Sequence, residues 1–276
     1  MSRLSSTFSV LAKNKRTALT TFITAGDPSL NISVDALHAL VEGGADILEL
    51  GIPFSDPEAE GPVIQAASER SLAHNTSLRN VLDMVQQFRI SNAVTPMVLM
   101  GYLNSIGSMG YEAFAREASR AGVDGLIMVN LPPEEAEELR TCLLQVNIDL
   151  IFLVAPTSTD ERVQIIARAS TGFIYYVSLK GTTGATHLDT NSVGENVKRI
   201  RQQSKLPIQV GFGIQHPKDA KTIARVADGV VVGSALVRIM GEEGASKESI
   251  LDGLRTKTAQ LRAVLGPEPE PEPAAE

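Results

Sequence analysis

Residues 47–65 read ILELGIPFSDPEAEGPVIQ, and the fold turns on how that stretch divides. Ile47, Leu48 and Leu50 form a short apolar run with one carboxylate, Glu49, set inside it. Gly51 and Pro53 break the run into a loop too acidic and proline-marked to be core. Asp56, Glu58 and Glu60 fall at every second position along that loop, and Gly61-Pro62 ends it. A carboxylate inside an apolar strand costs several kcal/mol unless it is hydrogen-bonded or protonated, and burial raises its pKa toward the range useful for proton transfer. With a second carboxylate on the following loop, Glu49 makes a candidate pair of proton-transfer groups. The competing reading is a core glutamate paired with a neighbouring hydroxyl such as Tyr175 or Ser178.

Outward from this stretch the same unit repeats. Short runs rich in Val, Ile and Leu predict strands over 18–24, 46–50, 96–100, 125–129, 149–154, 172–178, 207–210 and 229–232. Amphipathic segments predict a helix over 5–15 before the first strand, and helices over 34–43, 63–74, 78–90, 111–121, 133–146, 160–169, 193–202 and 217–224 between the strands. A short helix from Ser234 and a long one over 247–265 close the series. Strands that are apolar on both faces belong to a parallel sheet. Eight strand–helix units in about 250 residues predict an α/β fold, a (β/α)8 TIM barrel with an extra N-terminal helix. A doubly wound open sheet shares the alternation, but no GxGxxG follows the first strand. The reading gives a single barrel domain over 1–265. Residues 266–276, GPEPEPEPAAE, cannot build a helix or a core, which predicts a disordered Pro/Glu C-terminal tail.

Bulk properties narrow the function. A net charge of −7 with no Lys/Arg run argues against a general nucleic-acid binder. One cysteine, Cys142, excludes an intramolecular disulfide, and four scattered histidines lack ligand spacing. Cys142 reads as an inert thiol, and His187 as a solvated loop residue. No apolar run reaches membrane-spanning length and no secretion signal is evident, so the cytoplasm is the expected location.

In a barrel the site lies at the C-terminal ends of the strands. Phe22, Glu49, Met100, Asn130 and Tyr175 stand at such positions, followed by the loops 49–60 and 179–190. Gly211-Phe212-Gly213 and Gly233-Ser234 leave backbone N–H groups uncovered at adjacent strand ends, the second just before a short helix. With Gly184 on the preceding loop they predict a phosphate cradle. The glycine-bearing run 179–189, LKGTTGATHLD, is a candidate lid.

These residues also carry a resemblance. LELGIPFSDP with GP-IQ, the APTSTDER run, GFIYYVSLKGTTGA, QVGFGI and ADGVVVGSA together resemble the tryptophan synthase alpha subunit family, in register from about Leu11 to Leu265. The resemblance implies a (β/α)8 barrel that cleaves indole-3-glycerol phosphate to indole and glyceraldehyde 3-phosphate. It implies no cofactor in this chain, and a beta subunit carrying pyridoxal phosphate as partner in an alpha2-beta2 tetramer. It assigns Glu49 as general acid/base and Glu60 as the carboxylate facing the indole N–H. Phe22 and Met100 match residues packing the indole ring, and Tyr175 one beside Glu49. Gly184, Gly213, Gly233 and Ser234 match the phosphate cradle, and Thr183 a lid residue that closes onto the second carboxylate. Pro53, Asp56, Pro57 and Asn104 match the partner-facing surface. The chain departs from the family pattern in three places: PEAEGP stands where the family reads PLADGP, bringing in Glu58 and Glu60, and Asn130 replaces an Asp. An alternative expectation is therefore a weakly active or non-catalytic subunit that binds the phosphorylated ligand and activates the beta partner. A different barrel enzyme on another phosphorylated metabolite is the third.

Overall fold

The computed structural model describes residues 2–178, 190–211 and 213–266. Its strands are β1 (Ala18–Thr24), β2 (Ile47–Gly51), β3 (Met97–Gly101), β4 (Gly125–Met128), β5 (Asp149–Ile151), β6 (Leu153–Val154), β7 (Ile174–Val177), β8 (Ile208–Gly211) and β9 (Gly229–Val232). Every pairing is parallel, in the order β5-β4-β3-β2-β1-β9-β8-β7-β6. The two ends of that order are consecutive pieces of chain on either side of Phe152. Their continuity closes the ring, and Tyr175 N–H still donates to the Phe152 carbonyl at 3.2 Å. The strand predicted over 149–154 is thus present as two pieces, one pairing with each neighbour, and the eight-unit barrel holds.

Helices wrap the ring as the periodicity predicts: Tyr111–Ala121, Asp160–Ala169 and Pro217–Ala224 stand at the predicted bounds, and the ends of the others are displaced by one to a few residues. The prediction over 133–146 resolves into a 3₁₀ turn, Pro133–Glu135, and a helix, Glu137–Gln145. The short helix Leu103–Gly107, after β3, was not anticipated. Apolar residues on the outer strand faces pack against the helices in one large core.

The helix Arg3–Lys13 lies across the bottom of the ring. Leu4, Phe8 and Leu11 pack there with Ala18, Ile47, Val98, Ile127, Ile151 and Phe173. The Phe8 and Phe173 rings stand 5.9 Å apart. The opposite end is left for a site. From residue 267 on, the expected tail lies outside the described residues. No helix among the described residues is long and apolar enough to cross a membrane.

Candidate active site

Strand alternation sends every second side chain into the ring. On β2 these are Ile47 and Glu49, with Ile47 in the bottom cluster and Glu49 above it. Glu49 pairs in register with Phe22 on β1 and Val98 on β3. It is 1% exposed, and neither carboxylate oxygen has a hydrogen-bond partner among the described residues. The competing reading of a hydroxyl-paired core glutamate therefore fails. Ser178 Oγ donates instead to the Gly211 carbonyl at 2.9 Å. Tyr175, buried opposite, leans its hydroxyl over Gly211, where an added Cβ would come within 2.1 Å of that oxygen.

Glu49 and Glu60 line one cavity. Phe22, Met100, Tyr175, Gly213, Gly233 and Ser234 line it too. Burial, and secondarily the charge of Glu60, pushes Glu49 up to about 8. Burial pushes Glu60 up to about 7. The Tyr175 hydroxyl is held well above its ordinary range by burial, then by the charges of Glu49 and Glu60. Two carboxylates in one apolar cavity thus sit close to neutrality, where proton transfer in either direction costs least.

The same cavity is lined by Gly213 with φ +76°, a value suited to glycine, and by Gly233 at the N-terminal end of the helix Ser234–Met240. Gly211 does not line it; its lack of a side chain accommodates Tyr175. Thr183, Gly184, His187, Phe212 and the lid loop 179–189 lie outside the described residues.

Of the four residues assigned to a partner surface, Asp56 and Asn104 are exposed, Pro57 is half-buried and Pro53 is buried within the chain. Asn130 ties two rim loops together: its Oδ1 accepts from Leu103 N–H at 2.8 Å, and its Nδ2 donates to Asn104 Oδ1 at 3.4 Å. The cavity also uses Val129, Leu153, Val177, Gln215 and Val231, which the sequence reading did not single out. For Leu153, Val177 and Val231 the signal was their inward parity, two residues from Ile151, Tyr175 and Gly229. Among the described residues no three of His, Cys, Asp or Glu come together as a metal site.

Comparison with known proteins agrees with this geometry. A family profile described as "Tryptophan synthase alpha chain" matches residues 8–265. The tryptophan synthase alpha chain of Chromobacterium violaceum is 53% identical over 265 residues, covering 96% of this chain and 100% of that one. That of Cupriavidus metallidurans is 51% identical over 265 residues, covering 96% and 99%. Among solved structures, tryptophan synthase subunit alpha from Legionella pneumophila superposes with a TM-score of 0.90 at 43% identity, covering 96% of this chain and 98% of that one. A chain of the aminoacrylate-bound tryptophan synthase from M. tuberculosis superposes at 0.86 with 38% identity, covering 96% and 100%.

Proposed function

Because the chain belongs to the tryptophan synthase alpha chain family, we propose that the carboxylate-lined mouth of its barrel is where indole-3-glycerol phosphate is cleaved. The activity is that of the family, a lyase reaction yielding indole and glyceraldehyde 3-phosphate in tryptophan biosynthesis. The chain works with a beta subunit in an alpha2-beta2 complex; pyridoxal phosphate belongs to the beta subunit and the alpha chain carries no cofactor. A cytoplasmic location suits this biosynthetic role.

Cleavage requires a proton placed on indole C3 and a proton removed from the side-chain hydroxyl next to the breaking bond. As that C–C bond breaks, the hydroxyl carbon becomes the aldehyde carbon. The bonding pair returns to the ring and restores its aromaticity, so no net proton is consumed. Glu49, protonated at neutral pH by its burial, delivers the first proton and as carboxylate accepts the second. Glu60, ionised above about pH 7, accepts the indole N–H as positive charge builds on the ring. Phe22 and Met100 pack the ring, and Tyr175 walls the space beside Glu49. The backbone N–H groups at Gly213, Gly233 and Ser234 face the phosphate; the family resemblance adds Gly184 and Thr183, which lie outside the described residues. Pro53, Asp56, Pro57 and Asn104 mark the rim that meets the beta subunit.

One observation carries this reading: the buried Glu49 and the half-buried Glu60 share one cavity with Gly213, Gly233 and Ser234. Indole release from indole-3-glycerol phosphate, assayed alone and with a beta subunit, tests it. Indole is expected in both cases, faster with the partner, and none in either would sink the proposal. The extra methylene of Glu60 shifts its oxygens by roughly 1 Å relative to an aspartate, a misplacement that can cost about a hundredfold in rate. Glu60→Asp is expected to change kcat by less than about tenfold, because the extra torsion of the glutamate returns its oxygens toward the place of the shorter side chain. A hundredfold gain would instead identify the natural chain as the weakly active, ligand-binding subunit.

A further inference from the structure

The segment between β2 and the helix Pro62–Ala73 is exposed over Ser55–Asp56 and Glu58–Ala59 and presents one carboxylate to the cavity. Glu58 and Ala59 are exposed, and Glu60 is half-buried. Free in solution, such a loop would place its carboxylate in many positions, and a glutamate multiplies them by one more torsion than an aspartate.

Two side chains from neighbouring elements remove that freedom. Tyr102, 4% exposed just beyond β3, accepts a hydrogen bond from Ala59 N–H at 3.0 Å through its hydroxyl. Gln65, one turn into the helix, donates from Nε2 to the Glu60 carbonyl at 2.8 Å. The two bonds meet the main chain on either side of the Glu60 Cα. Glu60 N–H closes the turn onto the Pro57 carbonyl at 3.1 Å. Tyr102 is gripped in its turn: Phe54, near the start of the same loop, stacks on its ring at 5.0 Å and 21°. The chain just beyond is pinned where Leu103 N–H donates to Asn130. Neither the Tyr102 ring nor the Gln65 amide lines the cavity.

We propose that Tyr102 and Gln65 are positioning residues, which clamp the main chain on both sides of Glu60 and so set where its carboxylate stands in the site. The inference rests on the reading of Glu60 as the second carboxylate of the reaction. With the backbone fixed, only side-chain torsions decide where the longer glutamate places its oxygens. Released, the loop swings that carboxylate away from the indole nitrogen while the phosphate cradle, built from the ends of β8 and β9 and not from this loop, keeps its hold on the substrate. Loss therefore falls on kcat and spares KM.

The test uses the full chain in complex with its beta subunit and measures indole release across indole-3-glycerol phosphate concentrations. The variants are Tyr102→Phe, which keeps the stack on Phe54, Gln65→Met, which keeps length without the donor, Glu60→Ala, and each clamp variant combined with Glu60→Ala. Tyr102→Phe and Gln65→Met are each expected to lower kcat by about tenfold with KM within about twofold. In the Glu60→Ala background neither should lower kcat further, because their effect passes through a carboxylate no longer there. Clamp variants with kcat within twofold of the natural chain would overturn the proposal, as would losses that multiply with that of Glu60→Ala. If Glu60→Ala itself left kcat unchanged, the role of Glu60 would fall and the clamp with it; that outcome is distinct from a failure of the clamp alone.

Discussion

Glu49 is held in β2 with neither oxygen bonded among the described residues, and its protonation couples stability to activity. Its folded pKa, about 8, lies above the ordinary 4.5. The fold therefore prefers the protonated form: this contribution is complete below about pH 4.5 and is lost as pH rises through about 8. Glu49→Gln, which cannot ionise, is expected to raise Tm at pH 8.5 by about 3 °C or more, while indole release falls by about a thousandfold. Thermal melts and steady-state assays on the same preparation check both, and a lower Tm would contradict the unpaired burial. The pair also predicts a narrow pH–rate profile. Glu60 must be ionised and Glu49 protonated, so kcat should peak between about pH 7 and about 8 and fall on both sides. A plateau from pH 5 to 10 would exclude these two groups as the proton carriers. Glu49 was legible in sequence because a carboxylate inside an apolar run is conspicuous by itself. Tyr102 was visible only as a strand-end residue, since its bond to Ala59 spans 43 positions and nothing local announces it.

At the level of elements, aspartates placed just before strands sew the lower rim of the ring. Asp46 precedes β2 and accepts from Leu19 N–H on β1; Asp124 precedes β4 and accepts from Met97 N–H on β3; Asp228 precedes β9 and accepts from Ile208 N–H on β8, each at 2.8 Å. Each bond satisfies a strand-end N–H of the neighbouring strand. The repetition is written in the sequence as GADIL, GVDGL and VADGV, a signal the periodicity reading passed over because it counted apolar positions. Asp124 carries the most. It is 5% exposed and receives Arg3 at 2.9 Å and Arg89 at 2.7 Å as well. Asp124→Ala leaves the largely buried Arg89 guanidinium with the Gly122, Asn92 and Thr95 carbonyls but without its counter-charge, and should cost about 3 kcal/mol, read as a lower urea midpoint with unchanged m. A loss under 1 kcal/mol would mean that solvent replaces the carboxylate freely. Strands were otherwise read well because their apolar runs are short and sharply bounded. Leu103–Gly107 was missed because a five-residue helix is too short to show a period, and the lapse at Phe152 because pairing is a property of neighbours, not of the run itself.

Across the whole molecule, the barrel separates what holds it from what it does. The bottom is closed by the helix Arg3–Lys13, whose Leu4, Phe8 and Leu11 share one cluster with the inward residues of the ring. That cluster runs up through Phe173 to Tyr175 and Val231, which are the floor of the cavity. Phe173 leads into β7 two positions before Tyr175, roughly 7 Å along the chain. The plug and the site are therefore joined by packing but made of different residues. Truncating Phe8, 7% exposed, removes the ring that meets Phe173 and should cost about 3–5 kcal/mol, a fall in Tm of about 10 °C. The loss arises at the bottom, where no substrate atom reaches, and Tyr175 is still located from above by Gly211 and from the side by the β6 and β8 pairings. At 25 °C, where the Phe8→Ala chain remains folded, kcat and KM for indole-3-glycerol phosphate should stay within about twofold of the natural chain. Calorimetry and the indole assay separate the two quantities. A parallel loss of kcat would show that the packing column transmits strain from plug to floor, and that the two ends of the barrel are mechanically one.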